Sequence, residues 1–481
     1  MGPAHSTTLD TPKMKLYYER RKFILLGLTF FFVIAAYTLV QALKDSIFSH
    51  IVGKYYINYA RFASMCMLMP AIVIYSKLVD RMRRYYLLCF YAGLYAIMAL
   101  TLAYFLADPL IGIANTQESP TRIFGWLFYF FSEGFSPFVV SVFWAFVNSV
   151  SSPDNAKNRY GNIAASSKIG GMMSAGLCWL LFAWRDASGQ NVLSDVASHQ
   201  LALFMAAIFL AMIPVVILYL MKIVPGRFLH GYEAAYKVEK IKKKTGQSDT
   251  GIFAGVRMLI KYPYVLGIFG MVFFYELLSV VISYLRIGVA QANAQNLSDV
   301  SASLFQMMFL THFTGFLISF FGTRKLLKKL GERVCLLIIP GSIGLVLTIF
   351  MFNTASSIVI VFTFVVLKAI NYAFSWPVRE GLYIPTVKEI KFKSKSWIDA
   401  FGSKFAKSSG ASFNLFAEWL GPALFIPAHA IFFVMSIGLW FATAWLLGKR
   451  FSKAVKNNEV IGLDKPLLKT AQTKEASLAQ S

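Results

Sequence analysis

The sequence predicts an all-α membrane protein, with about twelve transmembrane helices in two six-helix bundles. Three observations carry that expectation. Hydrophobic residues make up 57% of the 481, mean hydropathy is +0.58, and 15% are charged, against about 25% in a soluble domain. The apolar residues gather into runs of about 20, the length that crosses a bilayer's hydrocarbon core as a helix. A long hydrophilic stretch, 225–262, carries Lys237, Lys240 and Lys242-Lys243-Lys244 and divides these runs into two sets.

Residues 1–22 read as a polar tail ending in Arg20-Arg21-Lys22. A first span follows at 23–43, closed by Lys44-Asp45-Ser46. The second, 57–78, leads into a basic loop with Asp80, Arg81, Arg83 and Arg84, and the third covers 85–107. The loop 108–122 holds one basic residue, Arg122. The fourth span, 123–150, contains Glu133, and the loop after it carries Lys157 and Arg159. The fifth, 161–184, contains Lys168, and the sixth runs 201–223. Beyond the basic stretch come 264–284, 302–322, 334–352, 355–377, 399–424 and 428–448. The last stretch, 449–481, is polar and is expected to be disordered. The resulting division is an N-terminal bundle at 23–224, a linker at 225–262 and a C-terminal bundle at 263–448.

Lys and Arg concentrate at the N-terminus and at 77–84, 157–159, 225–262, 324–333, 379–407 and 449–456, while alternate loops carry far fewer. That asymmetry places both termini in the cytoplasm. It also accounts for most of the net charge of +24 without invoking nucleic acid. Cys66, Cys89, Cys178 and Cys335 sit in apolar surroundings with no metal or disulfide spacing, so they read as buried thiols. The six His are scattered. No phosphate-cradling Gly-rich loop is present, so neither an ATP-driven pump nor an enzyme is indicated, and no cofactor is implied.

The chemistry lies in charges placed within or beside apolar spans. A charge at a helix centre costs roughly 2.5–3.5 kcal/mol on insertion scales, so such residues usually face a water-filled cavity. Lys44 either snorkels to the interface beside Asp45 or lines a cavity mouth. Glu133, in a stretch with Pro137, needs a partner or loses its charge. Lys168, among small residues, is a candidate partner for it and a candidate ligand-binding cation. Glu276 is the counterpart of Glu133 in the second half. Arg286, ten residues on, is about 15 Å away along the helix, too far to pair, and is expected near the non-cytoplasmic interface. Lys368, Arg379 and Glu380 open a stretch, 366–410, that continues into Lys388, Lys391, Lys393, Lys395, Lys404 and Lys407. Most of these are solvated; Lys393 and Lys395 are the candidates for ligand contact. A positive surplus of this kind calls for an anion. Read by residue chemistry alone, the chain is an organic-anion transporter.

Asp80-Arg81, followed by Arg83-Arg84, resembles the loop between the second and third spans of major-facilitator transporters. That likeness implies two rocking bundles with substrate held between them near the midplane. A second resemblance is more specific. The run from Lys368-Ala369-Ile370-Asn371-Tyr372 through Pro377-Val378-Arg379-Glu380 to Tyr383-Ile384-Pro385 is similar to the ATP/ADP antiporter family of plastids and obligate intracellular bacteria. So are Lys393-Ser394-Lys395-Ser396-Trp397-Ile398-Asp399, Ala406-Lys407-Ser408-Ser409-Gly410, Leu43-Lys44-Asp45, the Glu133-Gly134 and Phe143-Trp144 region to Asn148, and Ala156-Lys157-Asn158-Arg159-Tyr160. The resemblance implies a nucleotide transporter, with ATP and ADP as substrates. It places Lys44, Glu133, Glu276 and Lys395 on the family's essential charged positions, with Lys393 competing for the last. The chain departs from the family pattern at Asn371, Trp376 and Lys168. Proton-coupled uptake, other nucleotides such as NAD or GTP, and a non-transporting sensor on the same fold therefore stay open.

Overall fold

Backbone amides inside hydrocarbon must be satisfied within their own segment, so apolar runs of this length become helices. A computed structural model describes residues 12–151, 153–229, 257, 259–354, 356–387, 390, 394–457 and 459–462. The expectations for 1–11, most of the basic stretch, Lys388, Lys391, Lys393 and the end of the C-terminal tail lie outside these. The helices are α1 (Pro12–Phe48), α2 (Ile57–Arg81), α3 (Arg84–Leu106), α4 (Ile123–Phe135), α5 (Ser141–Val150), α6 (Pro153–Phe182) and α7 (Asp195–Ile223). They continue with α8 (Pro263–Ala292), α9 (Leu297–Leu317), α10 (Arg324–Phe352), α11 (Ser357–Ile370) and α12 (Trp376–Gly381). One turn, α13 (Lys395–Trp397), precedes α14 (Ser403–Trp419) and α15 (Pro422–Lys456). Among the described residues, β-structure is limited to two isolated bridges, Arg185 with Asn191 and Thr386 with Ile461. Among the described residues, nine stretches are long and apolar enough to cross a membrane, the first of them covering Leu16–Leu68.

Packing divides the chain into two compact units, residues 1–247 with 290–313, and 248–289 with 314–481. In the first unit α1 lies along α6 and α7, and α3 along α7. The approach of α1 to α6 needs a residue without a side chain: a Cβ on Gly170 would sit 2.4 Å from the Phe31 carbonyl oxygen. Segment 290–313 is bound into this unit at the start of α9. The Asp195 carboxylate accepts from the Leu297 amide at 3.2 Å and the Ser298 amide at 3.0 Å, filling the unpaired donors of a helix N-terminus. Arg185 pairs with Asp299, and His199 Nε2 meets Ser301 Oγ at 2.8 Å. Phe182 stacks on Phe305. In the second unit α10 packs along α15 and α11. A Cβ on Gly410 of α14 would meet the Leu277 carbonyl of α8 at 2.7 Å.

Three expectations are corrected. The N-terminal polar tail is helical from Pro12, and Lys22 is buried rather than solvated. Its ammonium donates to the Val150 and Phe228 carbonyls, both at 3.1 Å, and lies 3.5 Å from Glu19. Val150 ends α5, so the lysine fills an acceptor that a helix C-terminus leaves open. Of the four free cysteines, Cys178 and Cys335 are buried, but Cys66 is exposed: an apolar neighbourhood in sequence can face outward from a membrane helix. Third, several spans are not continuous α-helix. Wide π-turns stand at Ser49–Gly53, Ser136–Val140, Asn371–Ser375 and Ile398–Gly402. These four follow singled-out charges, namely Lys44, Glu133, Lys368 and Lys395, whereas a further one at Ile318–Thr323 does not. Such turns are rare and recur at functional sites.

Candidate functional site

In the first unit the site grows from α1. Thr38, Gln41 and Lys44 recur every three residues, so each neighbours the next in a row that winds about 120° round an otherwise apolar helix. Lys44 is 8% exposed. Its Nζ donates to Glu133 Oε1 at 2.8 Å and to Gln41 Oε1 at 3.2 Å, and lies 3.7 Å from Asp45 Oδ1. The ammonium also stands 4.8 Å from the centre of the Tyr129 ring, a favourable cation–π placement. Gln41 Nε2 donates to the backbone and side-chain oxygens of Ser132, both at 3.0 Å. Thr38 Oγ1 donates to the Ile34 carbonyl at 2.8 Å and meets His312 Nε2 at 3.1 Å. Lys168 on α6 is half-buried and stands one helical turn before Gly171. Gly171 lies against the His312 ring, where a Cβ would come within 2.4 Å of Cε1.

The second unit holds a parallel set of cations and carboxylates. Glu276 of α8 accepts from Ser403 Oγ at 3.2 Å and pairs with Lys407 at 3.9 Å. Lys395 pairs with Glu380 at 2.5 Å, each side chain about one-third exposed. Lys368 donates to Ser279 Oγ at 2.6 Å, beside the rings of Tyr275 and Phe364. Arg379 Nη2 donates to Asn371 Oδ1 at 3.4 Å. Arg286 does not snorkel. It is 2% exposed, with its guanidinium 4.0 Å over the Phe364 ring, because the aromatic face supplies a partner inside the protein.

The geometry brings Lys44 and Glu133 together, where the sequence offered Lys168 as a partner for that carboxylate. It adds Thr38, Gln41, Ser132, His312, Ser403 and Lys407 to the set. The first two were legible as a Thr-x-x-Gln-x-x-Lys spacing inside an apolar run. His312 was not, since nothing in sequence ties it to Thr38, 274 residues away. Chemically, the arrangement can hold cations inside apolar helices: Lys44, Lys395 and Lys407 are paired with carboxylates, Lys368 and Arg379 are hydrogen-bonded to polar oxygens, and Arg286 lies over an aromatic ring. Such a set suits an anion that arrives and leaves.

Comparison with known proteins adds to this geometry. The xylose transporter XylE from E. coli, in a partially occluded inward-open structure, superposes with a TM-score of 0.59 at 12% identity, covering 91% of this chain and 99% of that one. A D-xylose-proton symporter gives 0.55 at 14% identity, covering 91% and 97%. At such identities the likeness speaks for the fold alone, a major-facilitator fold. Among curated proteins, "ADP,ATP carrier protein 4" of Rickettsia bellii (strain RML369-C) is 23% identical over 487 residues, 91% of this chain and 92% of its own length. "ADP,ATP carrier protein 1" of Chlamydia pneumoniae is 24% identical over 367 residues, 69% of each. A family model described as TLC ATP/ADP transporter matches residues 121–451, more than half the chain. That match takes in Glu133 and every second-unit site residue described above, so this multi-pass membrane protein belongs to the TLC ATP/ADP transporter family.

Proposed function

We propose that the protein exchanges ATP for ADP across a lipid bilayer by alternating access. The observation that carries this reading is the Lys44–Glu133 ion pair, 2.8 Å long and buried among apolar helices. Replacing a buried ion pair by apolar residues of similar volume often costs nothing or stabilises, so the pair is better explained by use than by stability. Glu133 acts as a placeholder. It keeps the Lys44 ammonium from standing bare, and a polyphosphate of about three to four charges can compete for that ammonium with charge-assisted hydrogen bonds. Glu276 with Lys407, and Glu380 with Lys395, repeat the device in the second unit. Lys168, Lys368, Arg379, Arg286 and Lys393 complete the candidate cations.

The names of the relatives support ATP and ADP as the cargo. The Lys/Arg asymmetry supports both termini in the cytoplasm, and the bacterial relatives support a bacterial inner membrane or its equivalent. In reconstituted vesicles, labelled ATP should enter faster after preloading with ADP. Lys44→Ala or Glu133→Gln should cut that exchange roughly 10- to 100-fold, the worth of a hydrogen bond to a charged group. Uptake indifferent to internal nucleotide would remove exchange and leave proton-coupled entry, with Glu133 or Glu276 carrying the proton. Tight binding without flux would make the protein a sensor.

A further inference from the structure

The hydroxyl proton of Thr38 is committed to the Ile34 carbonyl, 2.8 Å away, the usual bond of a threonine inside a helix. Toward His312 Nε2, at 3.1 Å, the same oxygen can therefore only accept. The ring's hydrogen then sits on Nε2, and Nδ1 is a bare acceptor. Nδ1 is buried and has no hydrogen-bond partner among the described residues. A ring protonated on both nitrogens would set a second cation near Lys168 and bury a donor with nothing to meet. Lys168 stands one turn of α6 before Gly171, which lies against this ring.

An acceptor without a partner, near an ammonium, fits a group that gives one hydrogen bond and takes another. A hydroxyl does both, whereas a phosphate oxygen only accepts. Thr38 lies six residues from Lys44 on α1, about 9 Å of helical rise and about 120° round the axis. A nucleotide gripped by its phosphates at Lys44 can reach that level with its sugar. We propose that Lys168 and His312 Nδ1 form a subsite for a ribose hydroxyl, so that the carrier separates ribonucleotides from their deoxy counterparts. Thr38 is the positioning residue that fixes the imidazole tautomer. This inference rests on the reading of the protein as a nucleotide carrier.

The test is competition against labelled ATP uptake into vesicles carrying the full chain, using 2′-deoxy-ATP and 3′-deoxy-ATP. One of the two should compete about tenfold less well than ATP, the worth of one hydrogen bond; which one identifies the hydroxyl. His312→Phe and Thr38→Val should bring the ratio near one, and Thr38→Ser should keep it. The ratio compares ligands on the same protein, so expression level drops out. Should a variant lack flux, the melting temperature of purified protein with ATP or with the deoxy nucleotide reads the same discrimination. Equal competition by all three nucleotides in the wild type, or wild-type discrimination persisting in His312→Phe, overturns the subsite and leaves Nδ1 to water. A wild type that takes up no nucleotide at all overturns the carrier reading itself, and the subsite with it.

Discussion

Two lysines of α1 show how differently one residue type is used. Lys44 is held by a carboxylate, an amide oxygen and an aromatic face. Lys22 is fully buried and serves two backbone carbonyls. Sequence distinguishes them poorly: a lysine after Arg20-Arg21 reads as one more cytoplasmic charge, because the carbonyls it serves are 128 and 206 residues away. The roles predict different losses. Lys22→Met keeps most of the apolar stem and strands two acceptors, so it should cost about 1–3 kcal/mol. Thermal unfolding in detergent should show a lower melting temperature, with the preference between ATP and the deoxy nucleotides unchanged. An unaltered melting temperature would mean that water replaces the ammonium at both carbonyls.

At the level of helices, hydropathy located the spans but not their interruptions. The span read at 123–150 is α4, a wide turn and α5; the one read at 355–377 is α11, a wide turn and the start of α12. A π-turn changes hydrogen-bond register without changing composition, so no hydropathy window detects it. The small residues around Lys168 were a better guide, since they do mark the close approach of α1 and α6. Gly170→Val should push those helices apart and destabilise by about 1–3 kcal/mol, as overpacked cores do. Gly93→Ala on α3, where an added Cβ meets nothing within 4 Å, should leave the melting temperature level or slightly raised. Equal melting temperatures for both variants would refute the packing role given to Gly170.

For the molecule as a whole, the fold class was plain from composition and from the length of the apolar runs. These are physical requirements of the bilayer rather than details of packing. The charged residues of the site were legible for the same reason, since each stands out against an apolar background. Their pairing was not: Glu276 with Lys407 and Thr38 with His312 join positions far apart in the chain, and only the packed helices define them. Orientation rests on the Lys/Arg asymmetry, which predicts that reporter domains fused at either end are active only in the cytoplasm. A reporter active on the far side at either end would reverse the topology.

The capture of 290–313 by the first unit bears on any attempt to make the protein in pieces. The chain passes from one unit to the other at 247/248, at 289/290 and again at 313/314. A cut in the central basic stretch therefore does not yield two self-sufficient fragments. The N-terminal fragment would lose the chain that Asp195, Arg185 and His199 hold, leaving a carboxylate, a guanidinium and an imidazole without their mates. Co-expression of both fragments, rather than either alone, is what the connectivity demands.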